Sequence, residues 1–424
     1  MKIHIRQGRM IDPASGLDRV GDICVAAGRI VAMGEMPADF QPNQTIDAEG
    51  LIVMPGLVDL AVRLREPGNE YRATLESEML AACAGGVTSL ACPPDTSPPL
   101  DETGLVEMLK FRARNLNRLH VYPLGALTQK LAGERLTEMA ELYDAGCVGF
   151  SQADFPLVDT QVLMRSLEYA ATFGFTIWLR PQDNWLARGG VAHDGLVSSR
   201  LGLPGIPSAA ETVAVMTILL LMRETGARVH LCRLSTAEAI EMVRQAKAEG
   251  LPVSCDVSIQ HLHLSEMDLG YFDPNLHLVP PLRSQRDRDA IVRGLADGTI
   301  DALCSDHTPV DDDAKQLPFG ETEPGATGVE LLLPLALKWA QVSGLPLASA
   351  LACVTSRPAG ILGKTCGRMV DGGLADLCIL DPQAWWKVTP ASLKSEGKNT
   401  PFSGYEVQGR VRYTLVSGQV VYQD

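Results

Sequence analysis

The chain has 424 residues, 46% hydrophobic and 21% charged, which is enough for one large folded body plus a smaller one and too apolar for a disordered chain. A formal net charge of -14 excludes long-range attraction to nucleic acid or to an anionic membrane as the basis of function. The ten cysteines are scattered, with no Cys-x-x-Cys pair, and read as buried, reduced thiols.

In chain order, the opening run "MKIHIRQGRMIDP" alternates like a strand and lacks the apolar core of a signal peptide. The longest apolar stretches, "TILLLM" and "LLLPLAL", are far short of a membrane span, so the expected location is the cytoplasm. Short β-rich runs punctuated by glycine fill the first fifty-odd residues, and "ADLCILD" and "GRVRYTLVSGQVVYQD" close the chain in the same style. Both ends are predicted to pair in one small sheet domain, residues 1–54 with 365–424. Between them, eight apolar runs recur: "LVDLAV", "VTSLAC", "LHVYPLGAL", "GCVGFS", "FTIWLR", "RVHLCRL", "LPVSCDV" and "TIDALCS". Helix-period segments separate them. "DETGLVEMLKFRAR" opens on Asp101 as N-cap, "PSAAETVAVMTILLLMRETG" has Ser208, Glu211 and Gly226, and "STAEAIEMVRQAKAEG" runs from a Ser235–Glu238 capping box to Gly250. Near-continuous apolar strands alternating with helices predict a (β/α)8 TIM-type barrel over residues 55–364. Chemistry in such a barrel sits at the carboxyl ends of the strands, here Arg63, Asp95, Gln152, Arg180, Arg233 and Asp306.

The histidines carry little metal-binding signal. His261 and His263 are spaced to share one face of a strand, but no third ligand follows at a useful spacing. His230 is expected against the barrel wall, and His307 in a structural hydrogen bond. His4, His120, His193 and His277 have no spacing pattern.

The ordered set "MPGLVDLAVRLREPG", "GGVTSLACPPDTSPPLD", "CVGFSQADF", "HLCRLST", "HLVPPLR", "CSDHTPV", "FGETEPGATGVE", "TSRPAGILG" and "GGLADLCILD", closed by "TPFSGYEVQGRVRYTLVSGQVVY", resembles the dihydroorotases of the amidohydrolase superfamily almost end to end. The resemblance implies an α/β fold: the barrel with a β-sandwich built from both termini. It also implies one or two divalent metals at the barrel mouth. The family's His-x-His pair falls on Ala61 and Arg63, its bridging carboxylate on Gln152, and its later histidines on Arg180 and Arg233; the final aspartate is kept as Asp306. Of the substrate contacts, the carboxylate-gripping arginine is Arg65, while Asp95, Val279 and Val310 replace the family's other polar groups.

Arginine offers no lone pair to a metal, and neutral Gln152 cannot replace a bridging charge. A metal lowers the pKa of its water from about 16 to about 7, roughly 12 kcal/mol of hydroxide stabilisation. A lone base such as Asp306 supplies only about 100- to 10,000-fold in rate, so the expectation is no catalysis, no metal and no cofactor. Arg63, Arg180 and Arg233 either replace the metal's charge and pair with Asp306 and Asp95, or point to solvent, or line an anion pocket. Within the family, the resemblance is to the inactive dihydroorotase-like chains associated with aspartate transcarbamoylase. It implies a non-catalytic assembly subunit of pyrimidine synthesis, partnered by the transcarbamoylase catalytic chain and by its own copies. An active metal-dependent cyclic amidohydrolase and an anion-binding sensor are the alternatives.

Overall fold

The computed structural model describes residues 1–424. Strands from both ends of the chain lie in one eight-stranded sheet. Lys2–Asp12 pairs antiparallel with Leu17–Ala26, and on its other edge runs parallel first to Gln44–Asp47 and then to Ile52–Pro55. Ile52–Pro55 pairs antiparallel with Leu377–Lys387, which brings in Glu406–Val416 and Gln419–Gln423. The alternation read in the sequence buries one face: Ile3, Ile5, Ile23, Val53, Ile379 and Leu415 belong to a core separate from that of the central segment.

The central segment is all parallel. Leu57–Asp59, Val87–Cys92 and His120–Pro123 form one sheet. Gly125–Ala126, Phe150–Ser151, Thr176–Leu179, Arg228–Leu231, Val253–Ser258 and Ala302–Cys304 form the next, in chain order. Pro123 and Gly125 join the two along the chain. The amide of Arg63 donates to His307 and that of His307 to Ala61, which links the last strand back to the first. "VTSLAC" and "TIWL" are buried at every position because helices cover one face and an apolar interior fills the other. That interior holds Val58, Leu60, Ala91, Leu124, Trp178 and Cys304. Gly149 is needed there, since a Cβ would stand 2.5 Å from the Trp178 indole nitrogen.

Several local expectations change. Asp101 does not cap: the helix is Thr103–Leu116, with Glu102 at the N-cap, and the Asp101 carboxylate accepts from the Lys130 amide instead. The Ser235–Glu238 box does not form. Thr236 is the N-cap, bonded to the Ala239 amide, and the helix Ala237–Ala248 stops just before Gly250. Ser208 sits at an N-cap without a side-chain bond. The reason is Glu211, which turns from its own helix to accept from the amides and hydroxyls of Ser235 and Thr236. A buried carboxylate with several donors outcompetes two separate caps. His261 and His263 are not on a strand but on the short helix Ile259–His263, bonded to different carbonyls, those of Pro281 and Leu335.

Candidate functional site

Five of the parallel strands deliver a charged residue at or just beyond the carboxyl end, and these residues converge. Arg63, Arg180 and Arg233 arrive from three strands, Asp306 from a fourth, and Asp95 from the loop after a fifth. All three arginines are buried, so none of them points to solvent. The loop 152–159 places one further carboxylate among them, Asp154.

Asp154 is the hub. Its Oδ2 accepts from Arg63 Nη2 at 2.6 Å, and its Oδ1 accepts from Arg180 Nε at 2.7 Å and from Arg233 Nη2 at 2.5 Å. Its backbone carbonyl takes a second bond from Arg180. Arg63 also donates from Nε to Asp95 at 2.7 Å and from Nη1 to the Thr308 hydroxyl, while Arg233 Nη1 donates to Asp306 at 2.8 Å. Burial pushes the Asp154 carboxyl up, but Arg233, Arg63 and Arg180 together outweigh it and hold it well below the usual carboxylate range. For Asp306 the balance is reversed: burial, aided by the nearby Asp154 charge, wins over Arg233 and Arg63 and raises its pKa.

The cluster is not neutral. Arg65 lies beside it, buried, and its Nε donates only to the Pro309 carbonyl. Burial first, and the positive charge of Arg63 next, lower its pKa to about 10. Four guanidiniums thus face three carboxylates, leaving one positive charge over. Arg65, Ala153, Arg233 and Asp306 all hold φ between +47° and +62°, the left-handed region that costs an L-residue roughly 1–2 kcal/mol. Such strain concentrates at functional sites because the surroundings must over-determine it.

The remaining candidates are turned elsewhere. Ala61 packs into the apolar interior. The Gln152 amide accepts from the Thr128 hydroxyl and donates to the Leu131 carbonyl, and it makes no bond to the arginines. Val279 offers no polar side-chain atom, and Val310 is buried with its amide on the Asn399 side chain. His230 is fully buried between Ser254 and Asp256, and His307 pairs with Glu78 at 2.5 Å. A cavity of about 530 Å³ lies at the opposite, amino ends of the strands, among Thr176, Arg228 and Val253.

These residues do not fit a divalent ion. Guanidinium nitrogens occupy the place of three expected ligands, the Gln152 oxygen is already bonded, and the Asp154 and Asp306 carboxylates are held by arginine. No three His, Cys, Asp or Glu side chains stand together as a ligand set. What the arrangement can do is hold the strand ends rigidly and, through Arg65, attract an anion.

Sequence reasoning missed Asp154. It lies in "SQADF", two residues past Gln152, and the run resembles the family's Phe-Ser-Asp-Asp loop. The signal was an acidic residue in that same loop; three arginines with too few carboxylates called for another.

A dihydro-orotase-like family profile matches residues 50–239, and an amidohydrolase family profile matches residues 205–422. The chain is 47% identical over 423 residues to a "Dihydroorotase-like protein" of Pseudomonas aeruginosa, covering 100% of both. It is 40% identical over 423 residues to a "Dihydroorotase" of a Geobacter species, again covering 100% of both. Among solved structures, the L-hydantoinase (dihydropyrimidinase) of Arthrobacter aurescens superposes with a TM-score of 0.89 at 27% identity, over 99% of this chain and 96% of that one.

Proposed function

The chain belongs to the dihydroorotase-like amidohydrolases, and we propose that within this family it has given up metal-dependent hydrolysis and acts as a non-catalytic assembly subunit of aspartate transcarbamoylase. The reading includes a closed (β/α)8 barrel over residues 55–364, a β-sandwich from 1–54 and 365–424, and a cytoplasmic location. One observation carries the loss of hydrolysis: a single carboxylate, Asp154, gripped by Arg63, Arg180 and Arg233 where the family's metal would sit. Without a metal there is no hydroxide at neutral pH and no strong carbonyl polariser. Asp306 cannot fill that gap as a base, because a lone general base supplies only about 100- to 10,000-fold in rate. The partner is supported by the family resemblance alone, since a maintained fold without its chemistry calls for a role as a surface.

The experiment has two arms. The purified chain is analysed for zinc and assayed with dihydroorotate and carbamoyl aspartate, with and without added zinc. It is then run on size exclusion with and without the transcarbamoylase catalytic chain. Metal below one-tenth stoichiometry, no turnover and co-elution are expected. Turnover with bound zinc would overturn the reading in favour of an active cyclic amidohydrolase, which the relatives named "Dihydroorotase" make the principal alternative. Separate elution would remove the partner. The surplus charge at Arg65 supports a third reading, an anion sensor: millimolar orotate raising the melting temperature only while Arg65 is present would favour it.

A further inference from the structure

The amino ends of the parallel strands carry a different charge pattern from the carboxyl ends. The cavity of about 530 Å³ there is lined by three cations, Arg228, Arg357 and Lys364. A second cavity, about 370 Å³, shares Lys364 and adds Arg29 and Arg368. None of these five side chains meets a carboxylate. Arg357 Nη1 donates to the Cys353 sulfur, Arg29 Nη1 to the Gly372 carbonyl and Arg368 Nε to the Thr365 carbonyl, while Lys364 sits 5.3 Å over the Tyr122 ring. Arg228 opens its strand at an exposed position. The two carboxylates that line these cavities are already engaged. Asp301 accepts from Lys247 at 2.6 Å and from the Cys255 amide, and Asp376 pairs with His120 at 3.0 Å and accepts from the Ser417 amide. In a chain of net charge -14, this is a local cationic patch without its counter-charge.

We propose that the larger cavity binds a small phosphate ester, with its phosphate on Arg228, Arg357 and Lys364 and its organic part against Tyr143 and Phe175. Charge is the first argument. A phosphate monoester carries about 1.5 to 2 negative charges at neutral pH, so it answers three cations better than a carboxylate does. Guanidinium forks match phosphate oxygens in pairs. Size is the second argument, since about 530 Å³ falls within the roughly 300–1,000 Å³ of small-molecule sites. The lining is the third. Tyr143 and Phe175, with ring centroids 4.7 Å apart, give the cavity an aromatic side. Thr176 is 8% exposed, and its hydroxyl bonds to no group of the chain. A hydroxyl withdrawn from bulk water and left unbonded gains from a ligand oxygen. The proposal goes beyond the functional reading and does not rest on it. The cavity is at the far ends of the strands from Asp154 and Arg65, and its lining is the same whether or not the chain catalyses.

The test is isothermal titration calorimetry on the full chain in a phosphate-free buffer of low ionic strength. The probes are ribose 5-phosphate, AMP, inorganic phosphate and adenosine. One equivalent of either ester per chain is expected, with a Kd below about 1 mM. Binding is expected to weaken at least about tenfold in roughly 0.5 M salt. AMP binding more tightly than ribose 5-phosphate supports the proposal with a nucleotide as the ester, and equal binding supports it with a sugar phosphate. Arg228→Ala and Lys364→Ala, both at exposed positions, are each expected to weaken binding about tenfold with an unchanged circular-dichroism spectrum. Arg65→Lys is expected to leave the affinity unchanged. No saturable binding of either ester up to about 10 mM overturns the proposal. So does undiminished affinity in a folded Arg228→Ala/Lys364→Ala double variant, or loss of affinity in a folded Arg65→Lys. Adenosine binding as tightly as AMP, or inorganic phosphate as tightly as both esters, overturns the ester assignment. Zinc-dependent turnover by a chain that still binds the ester would overturn the functional reading and leave this one standing.

Discussion

Asp306 and His307 are neighbours in sequence and look into different worlds. Asp306 faces the strand ends, where it shares Arg233 and a distant contact to Arg63 with a cluster that is short of negative charge. His307 faces inward, fully buried with Glu78. The Glu78 carboxylate in turn accepts from the hydroxyls of Ser77 and Ser395 and from the Glu396 amide, while His307 Nδ1 receives the amides of Gly328 and Val329. One network fastens a helix, a strand end and the segment 394–396 with every polar atom used. The other crowds cations at the carboxyl ends of the parallel strands. The comparison separates scaffold from site: a buried charge network that is fully satisfied holds the fold, and one with a surplus charge gives up stability, which marks a candidate functional position.

The largest expected effect tests the scaffold side. Glu78→Ala strands His307 and three other donors, and urea unfolding should show a loss of about 3–5 kcal/mol. A loss under 1 kcal/mol would break the distinction.

Asp154→Ala comes next. It leaves three guanidiniums without their common carboxylate. Because a third of the Asp154 side chain remains exposed, water recovers part of the cost, and about 2–3 kcal/mol is expected. Asp154 has a depressed pKa in the fold, so its contribution is present at neutral pH and is lost as the pH falls below about 4, the unfolded carboxylate value. The wild type should therefore lose more stability than Asp154→Ala between pH 5 and pH 3, measured by urea midpoints. Equal losses would sink the assignment of Asp154 as hub.

Asp59 has the opposite sign. Burial raises its pKa to about 6, and its Oδ2 has no hydrogen-bond partner. In the folded state it binds a proton more tightly than in the unfolded chain, so its ionisation costs stability as the pH rises from about 4 through about 6. Asp59→Asn keeps an acceptor for the Ser305 and Ala61 amides without the charge. At pH 7 it should gain about 1–2 kcal/mol over the wild type, and the gain should vanish near pH 4. A destabilised Asp59→Asn at pH 7 would count against this account.

The smallest effect is the surface control. Arg223 and Glu249 form an exposed pair, and Arg223→Ala should change the unfolding free energy by less than about 0.5 kcal/mol. A larger change would mean that solvent-facing pairs rank with the buried ones, and the contrast between the two networks would lose its meaning.

Much of the architecture was legible in the chain. Apolar runs of five to seven residues mark the parallel strands because burial on both faces leaves no room for alternation, and the β-rich ends announced their shared sheet. Motif order placed Arg63, Arg180, Arg233 and Asp306 at strand ends, since each strand terminus is a local property of its own sequence. Where local rules failed, a distant group had intervened. Ser235 left its cap, and Ser208 its bond, because Glu211 reached across from another helix. Asp101 was drawn to the Lys130 amide.

Sequence by itself thus determined the family, the succession of elements and the presence of arginines at the strand ends, all of which are written in short stretches of chain. Only the tertiary structure decided what those cations do. Asp154 becomes a hub because Arg63, Arg180 and Arg233, each just past a strand, bring their guanidiniums to one loop, with Arg63 and Asp154 91 residues apart in the chain. Tertiary structure alone also decided that Val213, Met216 and Leu220 stay in water while Val215, Ile218 and Leu219 of the same helix are buried. An all-apolar helix carries no mark of which side its neighbours will cover, so its exposed face is settled by packing and not by pattern.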